Sequence, residues 1–231
     1  MFMTHNNIVL GITGASGVVY SIRLLEVLTS AGHDVHLTIS PSGRDVIEHE
    51  LDLKVDLDNF QTDSLMLGDL SPAGDSKLDI LRKFAGISSE DSNVLSVREG
   101  KPGEVFYHHY QDFKSPVASG SFLTDGMVVC PCSGATLSAI ACGASNNLIQ
   151  RAAEVHLKER RALILVPRET PLSLIQLDNM RRATEAGAVV LPAMPGWYHE
   201  VRVVRDLVDF VVAKICDQIG IEHTLMRRWG S

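Results

Sequence analysis

The chain has 231 residues, of which 45% are hydrophobic and 21% charged, and its formal net charge is −7. This composition predicts one folded domain over residues 1–231 and argues against disorder. The longest basic run is 158–161 and no apolar stretch is long enough to span a bilayer, so neither a nucleic-acid partner nor a membrane is expected.

The N-terminus and the cysteines together predict the cellular compartment. Residues 1–7 are polar and lack the cationic start and apolar core of a signal peptide. The four cysteines follow no C-x-x-C spacing, so neither a disulfide framework nor a zinc site is expected. Both observations favour a reducing cytoplasm.

The first half of the chain opens with a strand at 8–13, a glycine turn and a helix with apolar residues from Val18 to Leu28 on one face. A second strand at 35–39 and a helix at 44–51 follow. This succession predicts an α/β fold: a doubly wound, mostly parallel sheet with helices on both faces, flavodoxin-like or Rossmann-like.

An irregular, elaborated insert at about 52–118 comes next, in which we predict only a helix at 77–84 and a strand at 105–110. After the insert the alternation of strands and helices resumes. The predicted elements are strands at 127–130, 162–166 and 188–191, and helices at 135–142, 147–161, 171–186 and 203–219.

Two loops of small residues follow strands of the predicted sheet, GITGASG at 11–17 and PCSGAT at 131–136. Small residues let a ligand approach the backbone, and free N–H groups at a helix N-terminus favour an anion. Ser40 stands where a dinucleotide enzyme would place a carboxylate. Together the loops favour a mononucleotide, whereas the first loop alone is equally compatible with a turn that binds nothing. Within the second loop, Cys132 is typical of a small buried residue.

Charged and aromatic residues supply further candidate groups. Arg168 and Glu169 follow a central strand and should point into the same crevice. Arg151 and Lys158 lie two helical turns apart and share a face, whereas 160–161 is typical of a solvated helix end. The segment PGWYH at 195–199 would cover a flat ligand or pack against another subunit.

These stretches resemble one family, the UbiX-type flavin prenyltransferases. The similar segments are GITGASGVVYSIRLL at 11–25, the stretch 119–166 with ASNNLIQRAAEVHLKERRALILV, PRETP at 167–171 and PAMPGWYH at 192–199. The resemblance covers nearly everything outside 52–112, a region that is longer than is usual in the family.

The resemblance implies a reaction in which reduced FMN is alkylated at N5 and C6 by dimethylallyl phosphate. The prenylated FMN then serves a separate UbiD-type decarboxylase. By position, both loops would hold FMN together with a serine and an arginine: Gly14, Ala15, Ser16, Ser40, Ser133, Gly134, Ala135, Thr136 and Arg168.

The resemblance also implies the remaining roles. The catalytic set would be Ser16, Glu50, Arg151, Lys158 and Glu169. The substrate set would be Ser119, Gly120, Lys158, Arg168, Tyr198 and Lys214. The sequence has no acidic motif of the kind that holds magnesium diphosphates, so no metal is expected. The family implies a trimer-based homo-oligomer, a dodecamer, with sites between subunits.

Elementary chemistry agrees with this assignment. Lys158, Arg168 and Tyr198 can stabilise a phosphate leaving group through charge-assisted hydrogen bonds, and Glu50 can accept the proton lost from C6. Two positions depart from the family pattern. Lys214 stands where an arginine is usual, which removes bidentate geometry, and Phe113 stands where a tryptophan is frequent.

Two other functions fit parts of the sequence. An FMN-dependent cysteine-type decarboxylase would carry a P-x-M-N-x-x-M-W clamp, whereas this chain has PAMPGWY at 192–198. A non-catalytic FMN-binding subunit would not need the charged residues implied for catalysis. The sequence therefore favours the prenyltransferase.

Overall fold

The structure is a computed structural model that describes residues 6–65, 101–198, 201–226 and 228. The helix predicted at 77–84 lies outside the described residues, as does His199. Within the described ranges, no helix is both long and apolar enough to cross a membrane.

In the part of the chain that the structure describes, six parallel strands form one sheet in the spatial order β3-β2-β1-β4-β5-β6. Their bounds are β1 Asn7–Ile12, β2 Asp34–Ile39, β3 Val105–Tyr107, β4 Gly126–Cys132, β5 Ala162–Pro167 and β6 Val189–Val190. The central strands are buried almost throughout because helices cover both faces of the sheet.

The described residues form six helices, of which five lie between strands and the last follows β6. They are α1 Val18–Ser30, α2 Pro41–Leu51, α3 Gly134–Ala141, α4 Leu148–Lys158, α5 Leu174–Glu185 and α6 Val204–Ile219. Short 3-10 turns lie at Thr62–Ser64 and Pro116–Ala118.

Alternate residues of the strands divide the core into two clusters. Ile8 and Leu10 of β1 face the cluster that contains α1 and α6, whereas Val9 faces the cluster that contains α3 and α4. This period of two is the pattern of a strand, and it places one layer of helices on each face. The α/β fold predicted from the sequence is confirmed.

Most predicted boundaries agree with the structure, and the differences have local causes. The helix predicted from 171 begins at Leu174 because Ser173 forms a capping box with Gln176. The helix predicted to reach 161 ends at Lys158, since Arg160 takes a left-handed conformation with φ 58°. The strand predicted at 105–110 is present but ends at Tyr107.

Candidate active site

The sheet has one topological switch point, between β1 and β4. The chain leaves β1 toward β2 on one side and later returns to β4 on the other. In open α/β sheets this arrangement opens a crevice beyond the carboxyl ends of the two strands, where ligands bind. Both small-residue loops predicted from the sequence, 11–17 and 131–136, lie at this crevice.

Thr13 connects the two loops, a link that no motif in the sequence indicated. Its hydroxyl donates to the Pro131 carbonyl at 2.7 Å and accepts from the Ser133 N–H at 2.8 Å. Its backbone N–H donates to the same carbonyl at 3.2 Å. Because Thr13 is 1% exposed, these bonds are shielded from water and fix the loops relative to one another.

The Glu50 carboxylate accepts hydrogen bonds from the first N–H groups of α1. The Gly17 N–H lies 3.0 and 3.1 Å from its two oxygens, and the Val18 N–H lies 3.0 Å from one of them. A negative charge at a helix N-terminus is favoured by the helix dipole. Glu50 is half-buried, and its carboxylate contacts the backbone that directly follows Ser16.

Serine hydroxyls cap α2 and α3, the helices that follow β2 and β4. The Ser40 hydroxyl accepts from the Gly43 N–H at 3.0 Å, and the Ser133 hydroxyl accepts from the Thr136 N–H at 3.2 Å. Gly14 packs so closely on Ser42 that a Cβ there would clash. The predicted FMN-binding positions on the loops after β1, β2 and β4 therefore lie at one edge of the sheet.

Arg168 and Glu169 follow β5 at that same edge. The Arg168 Nε donates to the Ser16 carbonyl at 3.4 Å, which brings the end of β5 to the first loop. The Glu169 carboxylate accepts from the Thr170 N–H at 3.1 Å and from the Gln176 side chain at 3.5 Å. Both side chains are exposed, and Arg168 contacts the first loop at this edge of the sheet.

The other predicted charges form a separate group along α4. Arg151 donates to the Ala118 carbonyl at 3.1 Å and to Glu154 at 2.9 Å, and Lys158 pairs with Glu159. Arg161 donates to the Gly120 carbonyl at 2.5 Å, so the 118–122 segment runs beside the end of α4. For Arg161 the predicted solvated helix end is wrong, because its guanidinium holds this segment.

The end of this group around Lys158 and Arg161 lies at the opposite edge of the sheet from Arg168. Arg161 directly precedes β5, and Arg168 directly follows it. The rise along that strand separates its two ends by about 17 Å. Within one chain, Ser119, Gly120 and Lys158 are therefore not brought to the crevice that Ser16, Ser133 and Arg168 surround.

A third group lies where α6 meets the loop after β6. The rings of Tyr198 and Phe210 meet edge to face, with centroids 5.7 Å apart, and the Lys214 ammonium lies 5.9 Å from the Phe210 centroid. Lys214 also lies 3.9 Å from Asp217. An adjoining groove of about 330 Å³ is lined mainly by apolar side chains, including Leu191, Met194 and Phe210, and by Lys214.

The structure also shows the surroundings of Cys132 and Phe113, two other residues considered in the sequence. Cys132 is fully buried, and burial raises the pKa of its thiol well above the usual range, so it is a core residue and not a nucleophile. Phe113 is 48% exposed on the segment before the 3-10 turn at Pro116–Ala118.

Comparison with known proteins gives the family. The family model described as Flavoprotein matches residues 3–216. The flavin prenyltransferase UbiX of Halalkalibacterium halodurans is 43% identical over 95% of this chain and 91% of its own length. The chain belongs to the flavoprotein family, among the UbiX-type flavin prenyltransferases.

Solved structures of this family share the fold over almost the whole chain. AnUbiX, crystallised with FMN and dimethylallyl pyrophosphate, is 33% identical with a TM-score of 0.74 and coverage of 97% of both chains. A dodecameric FMN-dependent UbiX-like decarboxylase from Escherichia coli O157:H7 is also 33% identical, with a TM-score of 0.73 over 97% of this chain and all of that one.

Proposed function

We propose that this protein is a flavin prenyltransferase that transfers the dimethylallyl group of dimethylallyl phosphate to N5 and C6 of reduced FMN. The observation that carries the proposal is the crevice at the switch point, where two loops of small residues face the exposed Arg168. The family membership, at 43% identity over 95% of the chain, supports the same reaction.

The residues present suit FMN. Ser16, Ser40 and Ser133 offer hydroxyls on the loops at this crevice, and Arg168 offers a cation at its rim. The N-terminus of α3 opens toward the same edge of the sheet, which favours an anionic ligand, whereas the N-terminus of α1 is occupied by the Glu50 carboxylate. As the prenyl acceptor, reduced FMN supplies the nucleophilic nitrogen and the ring carbon.

The residues of the chain would assist the bond changes in two ways. The bond between the allylic carbon and the phosphate oxygen would break, and the phosphate would leave with the electron pair as N5 is alkylated and gives up its proton. For the bond at C6, the prenyl double bond would take up a proton while C6 releases one. Lys158, Arg168, Tyr198 and Lys214 would stabilise the phosphate, since a monophosphate is within the capacity of side-chain cations. Glu50 would accept the proton that leaves C6, with Ser16, Arg151 and Glu169 completing the polar wall.

We further propose that each site is completed by a neighbouring subunit of a homo-oligomer. Ser119, Gly120 and Lys158 lie at the edge of the sheet opposite to Arg168, so a second copy must supply them to the crevice. The dodecameric assembly of the UbiX-like decarboxylase, with 33% identity to this chain, is consistent with such an arrangement.

The product would serve as cofactor for a separate UbiD-type decarboxylase. We place the reaction in a reducing cytoplasm, because all four cysteines are free thiols and three of them are buried.

The deciding experiment is anaerobic incubation of the protein with reduced FMN and dimethylallyl phosphate. The flavin is then released and its mass and absorbance are measured. We expect the mass of one added prenyl group and an altered spectrum, with dimethylallyl diphosphate compared in parallel. A reaction without prenyl donor is the control. Unmodified flavin in every reaction would overturn the proposal. So would release of CO₂ when the protein is incubated separately with a peptide that ends in cysteine.

A further inference from the structure

Phe210 is a buried residue that lies next to both Tyr198 and Lys214, two members of the predicted substrate set. It lies on α6 and is 8% exposed; its ring meets the Tyr198 ring edge to face, and the Lys214 ammonium lies over it. Tyr198 comes from the loop after β6 and is 60% exposed. Because little of the side chain is buried, its position depends on how this loop packs on the rest of the protein.

The loop packs on the Phe210 ring through Gly196. A Cβ at Gly196 would lie 3.0 Å from Phe210 Cζ and 2.9 Å from Tyr198 Cε1, so only glycine lets the backbone approach both rings. The edge-to-face contact at 5.7 Å has the geometry that the aromatic quadrupole favours. Phe210 therefore determines where the 192–198 loop presents the Tyr198 hydroxyl.

The same ring also determines where Lys214 lies. Residues 210 and 214 are one helical turn apart on α6, and the ammonium lies over the aromatic face, which attracts a cation. Asp217 attracts the same ammonium from 3.9 Å, in the direction of the helix C-terminus. Without the ring, the lysine would have only the carboxylate as a fixed partner among the residues described.

We propose that Phe210 is a positioning residue that holds Tyr198 and Lys214 in the arrangement that receives the phosphate of an allylic monophosphate. This inference rests on the proposed function. It assigns to one buried ring the alignment of two groups that come from different elements, the loop after β6 and helix α6. Phe210 itself acts through these groups and not on the reacting atoms.

The test is steady-state kinetics of Phe210→Leu with dimethylallyl phosphate as the varied substrate. Leucine keeps an apolar side chain but removes both the ring edge and the ring face. We expect KM to rise by about threefold to thirtyfold, with kcat and the Kd for FMN nearly unchanged. Ile215→Val is the matched control, since it also removes buried volume from α6 but lies outside the groove.

A double-mutant cycle with Lys214→Ala distinguishes positioning from a general loss of packing. If Phe210 acts through the lysine, the effects of the two substitutions on KM are less than multiplicative. Independent effects, an unchanged KM in Phe210→Leu, or an equal rise in Ile215→Val would overturn the inference. Failure of the unmodified protein to prenylate FMN would instead overturn the proposed function, so the two failures are distinguishable.

Discussion

At the scale of single residues, Thr13 connects the loops that flank the crevice through one buried hydroxyl. Thr13→Val keeps the shape of the side chain but leaves the Ser133 N–H without its acceptor, a loss that costs about 1–3 kcal/mol. We expect the Kd for FMN to rise by roughly tenfold or more in this variant. Titration of the apoprotein with FMN, followed by flavin fluorescence, measures it.

Thr13→Ser is the matched control because it retains the hydroxyl. It should bind FMN almost as tightly as the unmodified protein. Loss of affinity in Thr13→Ser but not in Thr13→Val would show that the methyl group, and not the two hydrogen bonds, is what matters.

Glu50 has two roles to separate, since it accepts three backbone hydrogen bonds at α1 and is the proposed proton acceptor. Glu50→Gln keeps an amide oxygen for the helix N-terminus but cannot take up a proton. We expect FMN binding to persist while turnover falls by on the order of a hundredfold or more. The rate of prenylated flavin formation and the Kd for FMN are the measurements. Unchanged turnover in this variant would show that Glu50 only caps helix α1 and takes no part in the reaction.

At the scale of elements, two buried histidines make the packing of the sheet sensitive to acid. His156 on α4 is 1% exposed and His36 on β2 is 7% exposed, and burial lowers the pKa of each to about 4. Their ring nitrogens have neutral partners: His156 contacts Thr124 and the Ala152 carbonyl, and His36 contacts His108. Both histidines therefore remain uncharged in the folded protein near pH 6.

The sign of the pH dependence follows from these depressed pKa values. Between pH 6.5 and about 4 the unfolded chain takes up protons at both histidines and the folded protein does not. The free energy of unfolding should therefore fall as pH falls through this window, by at most about 1.4 kcal/mol per pH unit for each histidine. Denaturant unfolding at pH 7.5, 6 and 5 measures it.

His156→Gln removes one of these titrations while its amide can still reach a hydrogen-bond partner. The variant should lose less stability between pH 7.5 and 5 than the unmodified protein does. An unaltered pH dependence would show that His156 makes no contribution.

At the scale of the whole molecule, the separation of Lys158 from Arg168 predicts complementation between inactive variants. Lys158→Ala and Arg168→Ala should each lose most activity alone. In a mixed oligomer, an intact Lys158 from one subunit can meet an intact Arg168 from another, which random equal mixing allows in about a quarter of sites.

Co-expression of the two variants with different affinity tags, followed by purification through both tags, yields the mixed oligomer. Its activity, compared with that of each variant alone, is the measurement. The double variant co-expressed with itself is the control. Activity no higher than that of the separate variants would place each site within one subunit.

Local patterns in the sequence were sufficient for much of the architecture. A few neighbouring residues are enough to show the apolar runs that form β1, β4 and β5. The same is true of the helical spacing of α1 and of the two small-residue loops. Parallel strands place their following loops at one edge, so the crevice could also be predicted. The family resemblance, carried by segments such as 144–166, supplied the reaction and most candidate residues.

The tertiary structure alone decided which distant residues meet. The Thr13 bonds to 131 and 133, the Glu50 bonds to α1 and the contacts of Phe210 with Tyr198 and Lys214 join groups that no local periodicity relates. The tertiary structure also decided which charges lie at each edge of the sheet. Lys158 and Arg168 are ten residues apart in the sequence, yet strand β5 runs between them and holds their charges at opposite ends. A parallel strand separates its termini by its own length, and that is why a site needing both charges requires a second chain.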